Sequence, residues 1–268
     1  MINEHTIEQT NQLPNQPSIQ PTDQYITIAN IRLRYWQMGA RGSPVLLLHG
    51  LNGCVENWRW NIGVLAAQHR VFALDGPGHG LSQPDDRAFN LDFMRDLIVE
   101  FIRAQGLERT SLVALSGSGL VTLKLALERP ARVDKLVLAD AAGLERGINA
   151  RMRLFSMTPP PPPGVMPRQF SRDELRYWLN YAFFRNRAAL TEPMLDDFHA
   201  NLARPHTMVT AARLMRWGVN LFGQKFVFTH RLHQISAPTL IIWGQQDRLL
   251  PVRHAHRAAR NIPNARVV

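Results

Sequence analysis

The sequence has a single cysteine, Cys54, among 268 residues, so no disulfide can form within the chain. Its first two dozen residues also lack the basic-then-apolar pattern of a signal peptide. Together these absences lead to the expectation of a reducing, cytoplasmic location. Long hydrophobic runs are missing as well. The longest, such as PVLLLHG and KLVLADAAG, fall far short of the roughly 20 residues that span a bilayer, which argues against stable membrane insertion. Residues 1–22 (MINEHTIEQTNQLPNQPSIQPT) hold few large apolar side chains and are rich in Gln, Asn and Pro, so they read as a disordered polar tail. Acidic residues are outnumbered, 21 against 31 Lys and Arg, for a formal charge of +10. The arginines are scattered through helix-like segments and form no single basic tract, so nucleic acid is not expected as a partner. An acidic substrate or an acidic carrier protein is the sharper reading of that charge, and a solvated basic surface the plainer one. Nothing in the sequence indicates an oligomeric state.

What the sequence does have is enough apolar content, 45%, for a sizeable core. YITIAN and IRLRYWQ alternate as paired strands around a turn at Asn30, and PVLLLHG is a continuous run suited to a strand buried on both faces. Helix and strand then alternate. VENWRWNIGVLAAQH leads to VFALD, LDFMRDLIVEFIRAQG leads to SLVAL, and GLVTLKLALERP leads to KLVLADA. This order predicts an α/β fold with a doubly wound, mostly parallel sheet.

From about Leu144 the alternation stops, and nearly ninety residues of helical pattern precede the next strand, TLIIWG. The expected organisation is a polar tail (1–22), a first core part (23–143), a helical cap (144–233) and a second core part (234–268). Within the insertion, Ser171 with Glu174 is a capping box, and Thr191 starts a second helix. The five prolines 159–163 predict a stiff extended connector, or alternatively a docking site for a partner.

In an open parallel sheet, ligands bind beyond the carboxyl ends of the strands, so the residues just after each strand carry the chemistry. Four junctions stand out. They are His49-Gly50-Leu51-Asn52-Gly53, Asp75-Gly76-Pro77-Gly78-His79-Gly80 with Leu81-Ser82, Ser116-Gly117-Ser118-Gly119, and Gly244-Gln245-Gln246-Asp247. In this order the four motifs resemble the α/β-hydrolase fold superfamily over roughly residues 24–268. They are similar to its serine-nucleophile branch with a helical cap, which includes carboxylesterases, lactonases, carbon-carbon bond hydrolases and perhydrolase-like enzymes. The resemblance implies a serine hydrolase of a small or medium acyl ester, thioester or lactone that uses no cofactor or metal. A catalytically silent, hydrolase-like binding protein is the alternative, and carbon-carbon bond or amide hydrolysis a third.

The nucleophile turn of that family needs small residues two positions either side of the nucleophile. Ala114 and Ser118 satisfy this for Ser116, whereas Leu120 is too large to flank Ser118, so Ser116 is the expected nucleophile. Helix capping is its structural alternative. The resemblance implies that the amides of Leu51 and Gly117 form the oxyanion hole and that Asp247 is the triad acid. Asp75 and Asp140 also end strands; Asp140 is an alternative acid, and both are otherwise turn or network residues. The resemblance gives His49 and His79 structural roles. The Gly117-x-Gly119 pair with Asp140 also imitates a dinucleotide fingerprint, but Thr122 occupies the third glycine position. The family places its catalytic histidine after the last strand, so the base is expected beyond Val268, and the 268 residues alone are expected to be nearly inert. His254 and His256 fall instead on the helix that follows the Asp247 loop.

Overall fold

The computed structural model describes residues 21–159 and 168–268. All but the last two residues of the polar tail, and all but the first of the proline run, therefore lie outside the described residues. A hairpin opens the sheet. Strands β1 (Gln24–Ile28) and β2 (Ile31–Met38) pair antiparallel through a turn in which Ala29 and Asn30 both take positive φ, 50° and 64°. Two such residues in a row match the right-handed twist of the flanking strands.

The parallel strands follow: β3 (Pro44–Leu48), β4 (Arg70–Leu74), β5 (Thr110–Leu115) and β6 (Val133–Ala139). Helix α1 (Arg59–Ala66) follows β3, α2 (Leu91–Ala104) follows β4 and α3 (Gly119–Glu128) follows β5. After β6 come four helices, α4 (Ala150–Phe155), α5 (Arg172–Ala182), α6 (Glu192–Leu202) and α7 (Pro205–Gly218), and the two-residue strands β7 (Val219–Asn220) and β8 (Gly223–Gln224). Strand β9 (Thr239–Ile242), helix α8 (Arg253–Asn261) and strand β10 (Ala265–Val267) then extend the sheet.

The eight-stranded sheet runs β1-β2-β4-β3-β5-β6-β9-β10, with parallel pairing from β4 onward. The chain leaves β3 towards β4 on one side and β5 towards β6 on the other. The carboxyl ends of β3 and β5 are thus a topological switch point, where open α/β sheets bind ligands. Period-two alternation sorts each strand's side chains between two cores. Leu46, Leu48, Phe72 and Leu112 pack with α2 and α3 on one face, and Val45, Leu47, Val71 and Ala73 pack with Trp58 and Ile62 on the other.

The Ser171–Glu174 capping box starts α5, and the Thr191 hydroxyl caps α6. Helices α6 and α7 dock on the loops after β3 and β4. Asn201 Nδ2 donates to Asn52 O at 2.7 Å, His206 Nε2 lies 3.1 Å from Gly80 O, and Arg59 pairs with Asp197 at 2.8 Å. The inserted helices thereby roof the switch point. No described helix is long and apolar enough to cross a membrane.

Candidate active site

The turn from β5 into α3 is sharp because its residues allow it. Ser116 has φ +52°, a left-handed conformation that costs a non-glycine residue about 1–3 kcal/mol. The flanking Ala114 is fully buried. Ser118 does more than stay small, because its hydroxyl donates to Leu48 O at 2.9 Å and to Leu115 O at 3.0 Å and so ties the elbow to β3. A Cβ on Gly119 would lie 2.6 Å from Ala142 O, so only glycine lets α3 pack this closely on the chain leaving β6. Neither the elbow turn nor α3 takes a capping bond from the Ser116 hydroxyl. Helix capping therefore does not explain the serine.

The loop after β3 presses on this elbow. A Cβ on Gly50 would stand 3.0 Å from Ser116 Cβ, and one on Gly117 would stand 3.5 Å from Leu51 N. The hydrogen bonds of the surrounding turns and loops use neither the Leu51 nor the Gly117 amide among the described residues. Asn52, at φ +60°, completes the turn.

His49 and His79 are buried behind this loop, with ring centroids 4.9 Å apart. His49 Nε2 accepts from Gly76 N–H at 3.0 Å, which leaves Nδ1–H to donate to Gly50 O at 2.7 Å, so both nitrogens are occupied. Burial holds His49 down to about 4. Burial, with His49 beside it, holds His79 down to about 3. Both are neutral fixtures of the loops.

The loop after β9 places Asp247 with its Oδ1 accepting from Leu249 N at 2.6 Å and Leu250 N at 3.0 Å. Beside it Asp140, at the end of β6, accepts from Gly244 N at 2.9 Å. Burial pushes the Asp140 carboxyl above its usual range, and the neighbouring Asp247 adds to the shift. The two acid candidates are therefore neighbours. His254, on α8, is buried with Nε2 3.5 Å from Glu145 Oε2, and His256 on the same helix is exposed. Among the described residues no histidine hydrogen-bonds to Ser116 or Asp247.

Ser116, Leu51, Gly117, Asp140 and Asp247 all line one cavity of about 850 Å³. Its walls are mostly apolar and include Met94, Leu97 and Ile98 of α2, Leu120 and Val121 of α3, and Leu214 and Met215 of α7. No set of three His, Cys, Asp or Glu side chains suited to a metal ion occurs among the described residues.

Sequence reasoning missed the support under the loops. Arg34, inside β2, binds Glu56 at 2.7 Å, Asp23 at 2.7 Å and Asp75 at 3.3 Å. Burial opposes its charge, but the three carboxylates outweigh burial and raise its pKa. Asp75 in turn accepts from Val55 N at 2.7 Å and Leu81 N at 2.9 Å, so one carboxyl anchors the segments after both β3 and β4. Nothing in the strand's pattern signals this, because Arg32 and Arg34 share a face and only Arg34 is buried.

The match to known proteins agrees with this architecture. The alpha/beta hydrolase fold family matches residues 43–268. The chain belongs to that family. A curated relative, the dihydrolipoyllysine-residue acetyltransferase component of the acetoin cleaving system of Cupriavidus necator, is 32% identical over 240 residues, covering 88% of this chain and 60% of its own length. The chain thus spans about three fifths of that relative. The 2-hydroxy-6-oxo-6-phenylhexa-2,4-dienoate hydrolase of Burkholderia cepacia is 28% identical over 272 residues, covering 92% of this chain and 87% of its own. Among solved structures, the enol-lactonase of Burkholderia xenovorans shares the fold with a TM-score of 0.74 at 17% identity, covering 91% and 90% of the two chains.

Proposed function

We propose that this α/β hydrolase is a serine hydrolase of small or medium acyl esters, thioesters or lactones, with Ser116 as nucleophile. One observation carries the reading. Ser116 alone at the switch point combines a left-handed backbone, a hydroxyl free of capping bonds and two nearby backbone amides without loop acceptors. In the proposed first step Ser116 Oγ attacks the carbonyl carbon and gives its proton to a base. The oxyanion that forms is held by the amides of Leu51 and Gly117; loss of one such donor typically costs about 100- to 1000-fold in rate. Collapse breaks the bond to the leaving alcohol or thiol, which takes the proton, and water releases the acyl group by the reverse sequence. Asp247 is assigned to orient the base. None of the described histidines hydrogen-bonds to Ser116 or Asp247: His49 and His79 are fixed in their loops, His69, His199 and His206 turn to Ser43, Phe170 O and Gly80 O, and His254 faces Glu145. The inserted helices are assigned as the cap that shapes the apolar chamber.

The test is labelling of the native protein, purified from its host, with a fluorophosphonate and mapping of the adduct by mass spectrometry. An adduct on Ser116 is expected; a folded native protein that stays unlabelled would sink the reading and favour a silent binding protein. A second reading is hydrolysis of a dienoate, supported by the 28% identity to the Burkholderia cepacia enzyme. Turnover of such a dienoate in place of p-nitrophenyl butyrate would select it.

A further inference from the structure

The mouth of the cavity collects positive charge from three separate segments. Arg151 lies on α4, Arg185 follows α5 and Arg248 follows β9, and both Arg185 and Arg248 line the cavity together with Tyr181. Tyr181 organises two of them. The guanidinium carbons of Arg151 and Arg248 stand 4.7 and 5.4 Å from the centroid of its ring, both within cation–π range. Arg248 also donates to Tyr181 O at 3.1 Å.

Among the described residues these cations lack carboxylate partners, as Arg153 does on the same helix α4, whereas other arginines around the insertion are paired. Arg172 and Arg176 pair with Glu192, and Arg257 pairs with Glu145. Among the described residues no carboxylate pairs with Arg151, Arg185 or Arg248. The adjacent Asp247 turns its Oδ1 to the amides of Leu249 and Leu250. Because both guanidinium carbons stand close to one ring, they are separated by no more than about the 10 Å screening length of ordinary salt, so an anion bound at either feels both. Arginine's planar fork suits carboxylate and phosphate oxygens. Behind this mouth the chamber is mostly apolar, and the acids Asp140 and Asp247, which line it together with Ser116, disfavour an anion deep inside.

We infer that Arg151 and Arg248, with Arg185, form an anion subsite at the cavity mouth, which selects amphiphilic ligands with an apolar chain inside and a carboxylate or phosphate at the rim. That such ligands are substrates rests on the hydrolase reading; the subsite itself does not.

Equilibrium binding tests it without catalysis. Octanoate, octyl phosphate and octan-1-ol share one chain, and none is an acyl ester. Calorimetric titration at low salt is expected to give at least one anion a Kd about tenfold below that of the alcohol. The gap should narrow in about 0.5 M NaCl. In the triple variant Arg151→Gln, Arg185→Gln, Arg248→Gln the ratio of the two Kd values falls to about one, while the corresponding triple lysine variant retains part of it. Using the ratio cancels any general loss of fold. The tighter of the two anions identifies the head group. No preference in the wild type, or a preference that survives the glutamine variant, overturns the proposal. Failure of Ser116 to label would sink the hydrolase reading and leave this preference intact.

Discussion

Replacing Gly119 by alanine should be among the costliest single-methyl additions in this chain. Gly119 is the first residue of α3 and is buried. Its new Cβ would meet Ala142 O at 2.6 Å, Ala141 Cβ at 2.8 Å and Ala142 N at 3.0 Å. None of these is the movable end of a long side chain. Relief by shifting the chain after β6 strains the 2.9 Å bond from Ala142 N–H to Ser116 O, and relief by shifting α3 drags Ser116 itself. Overpacking of this kind costs about 1–3 kcal/mol, and a weakened hydrogen bond adds about 1. At about 2–4 °C per kcal/mol for a chain of this size, Tm falls by about 4–16 °C. Gly218→Ala is the control. It ends α7, has no atom within 4 Å of its added Cβ and lies outside the left-handed region, so the change is neutral or stabilising by up to about 1 kcal/mol. Urea unfolding followed by tryptophan fluorescence measures both. A Gly119→Ala protein within about 0.5 kcal/mol of wild type would refute the claim that the elbow depends on this close approach.

Ser116→Gly should remove the left-handed strain and stabilise the fold by about 1 kcal/mol while abolishing fluorophosphonate labelling. Ser116→Ala abolishes labelling too but keeps the strain, so its stability stays near that of wild type; equal urea midpoints for the two variants would contradict a strained elbow. Acid should destabilise the fold through its two buried histidines. Folded His49 and His79 titrate at about 4 and about 3, below the usual value near 6.5, so the stability they confer is present above about pH 6.5 and lost as pH falls through 4. Burial pushes Asp75 the other way, up to about 7, so its contribution is present below about pH 4 and lost as pH rises through 7. Burial also pushes Asp197 up to about 6, so two carboxyls take up protons in the fold over the same range and offset the histidines in the total. The histidine contribution is therefore read as a difference: between about pH 6 and 4.5 the wild type should lose about 1.4 kcal/mol per pH unit more than a His79→Gln variant. Urea midpoints of both proteins at pH 7, 6 and 5 measure it, and a difference that does not change with pH would refute the assignment.

Most of the sheet was legible because its signal is local. PVLLL, VFALD and SLVAL are apolar runs, and each lies in the sheet with the helix that follows it packed on the core. The junction residues were legible for the same reason, since the end of a strand fixes where its next few residues stand. What escaped depends on distant segments meeting. The partners of Arg34 come from Asp23, Glu56 and Asp75, separated along the chain and joined only by folding. Asp140 and Asp247 become neighbours because β9 pairs with β6 across the whole insertion. The positive charge is scattered along the chain, yet folding brings Arg151 and Arg248 onto one tyrosine ring.

Backbone strain points to the candidate site without reference to any relative. Among the described residues five non-glycine residues have positive φ: Ala29, Asn30, Asn52, Ser116 and Asp140. The first two form the β1–β2 turn, where the twist of the strands favours that conformation. No hairpin explains the other three. Glycine would hold the same backbone at each position without a Cβ penalty, and glycine is abundant in these loops, as Gly50, Gly53, Gly117 and Gly244 attest. An amide, a hydroxyl and a carboxyl stand there instead, and all three residues line the cavity. Asn and Asp adopt this conformation more readily than other side chains, so the strain of about 1–3 kcal/mol falls mainly on Ser116, and the surrounding core must offset it. Of the three, Ser116 is thus the position where a side chain stands most against its own backbone, and it is the one that the proposed reaction uses as nucleophile.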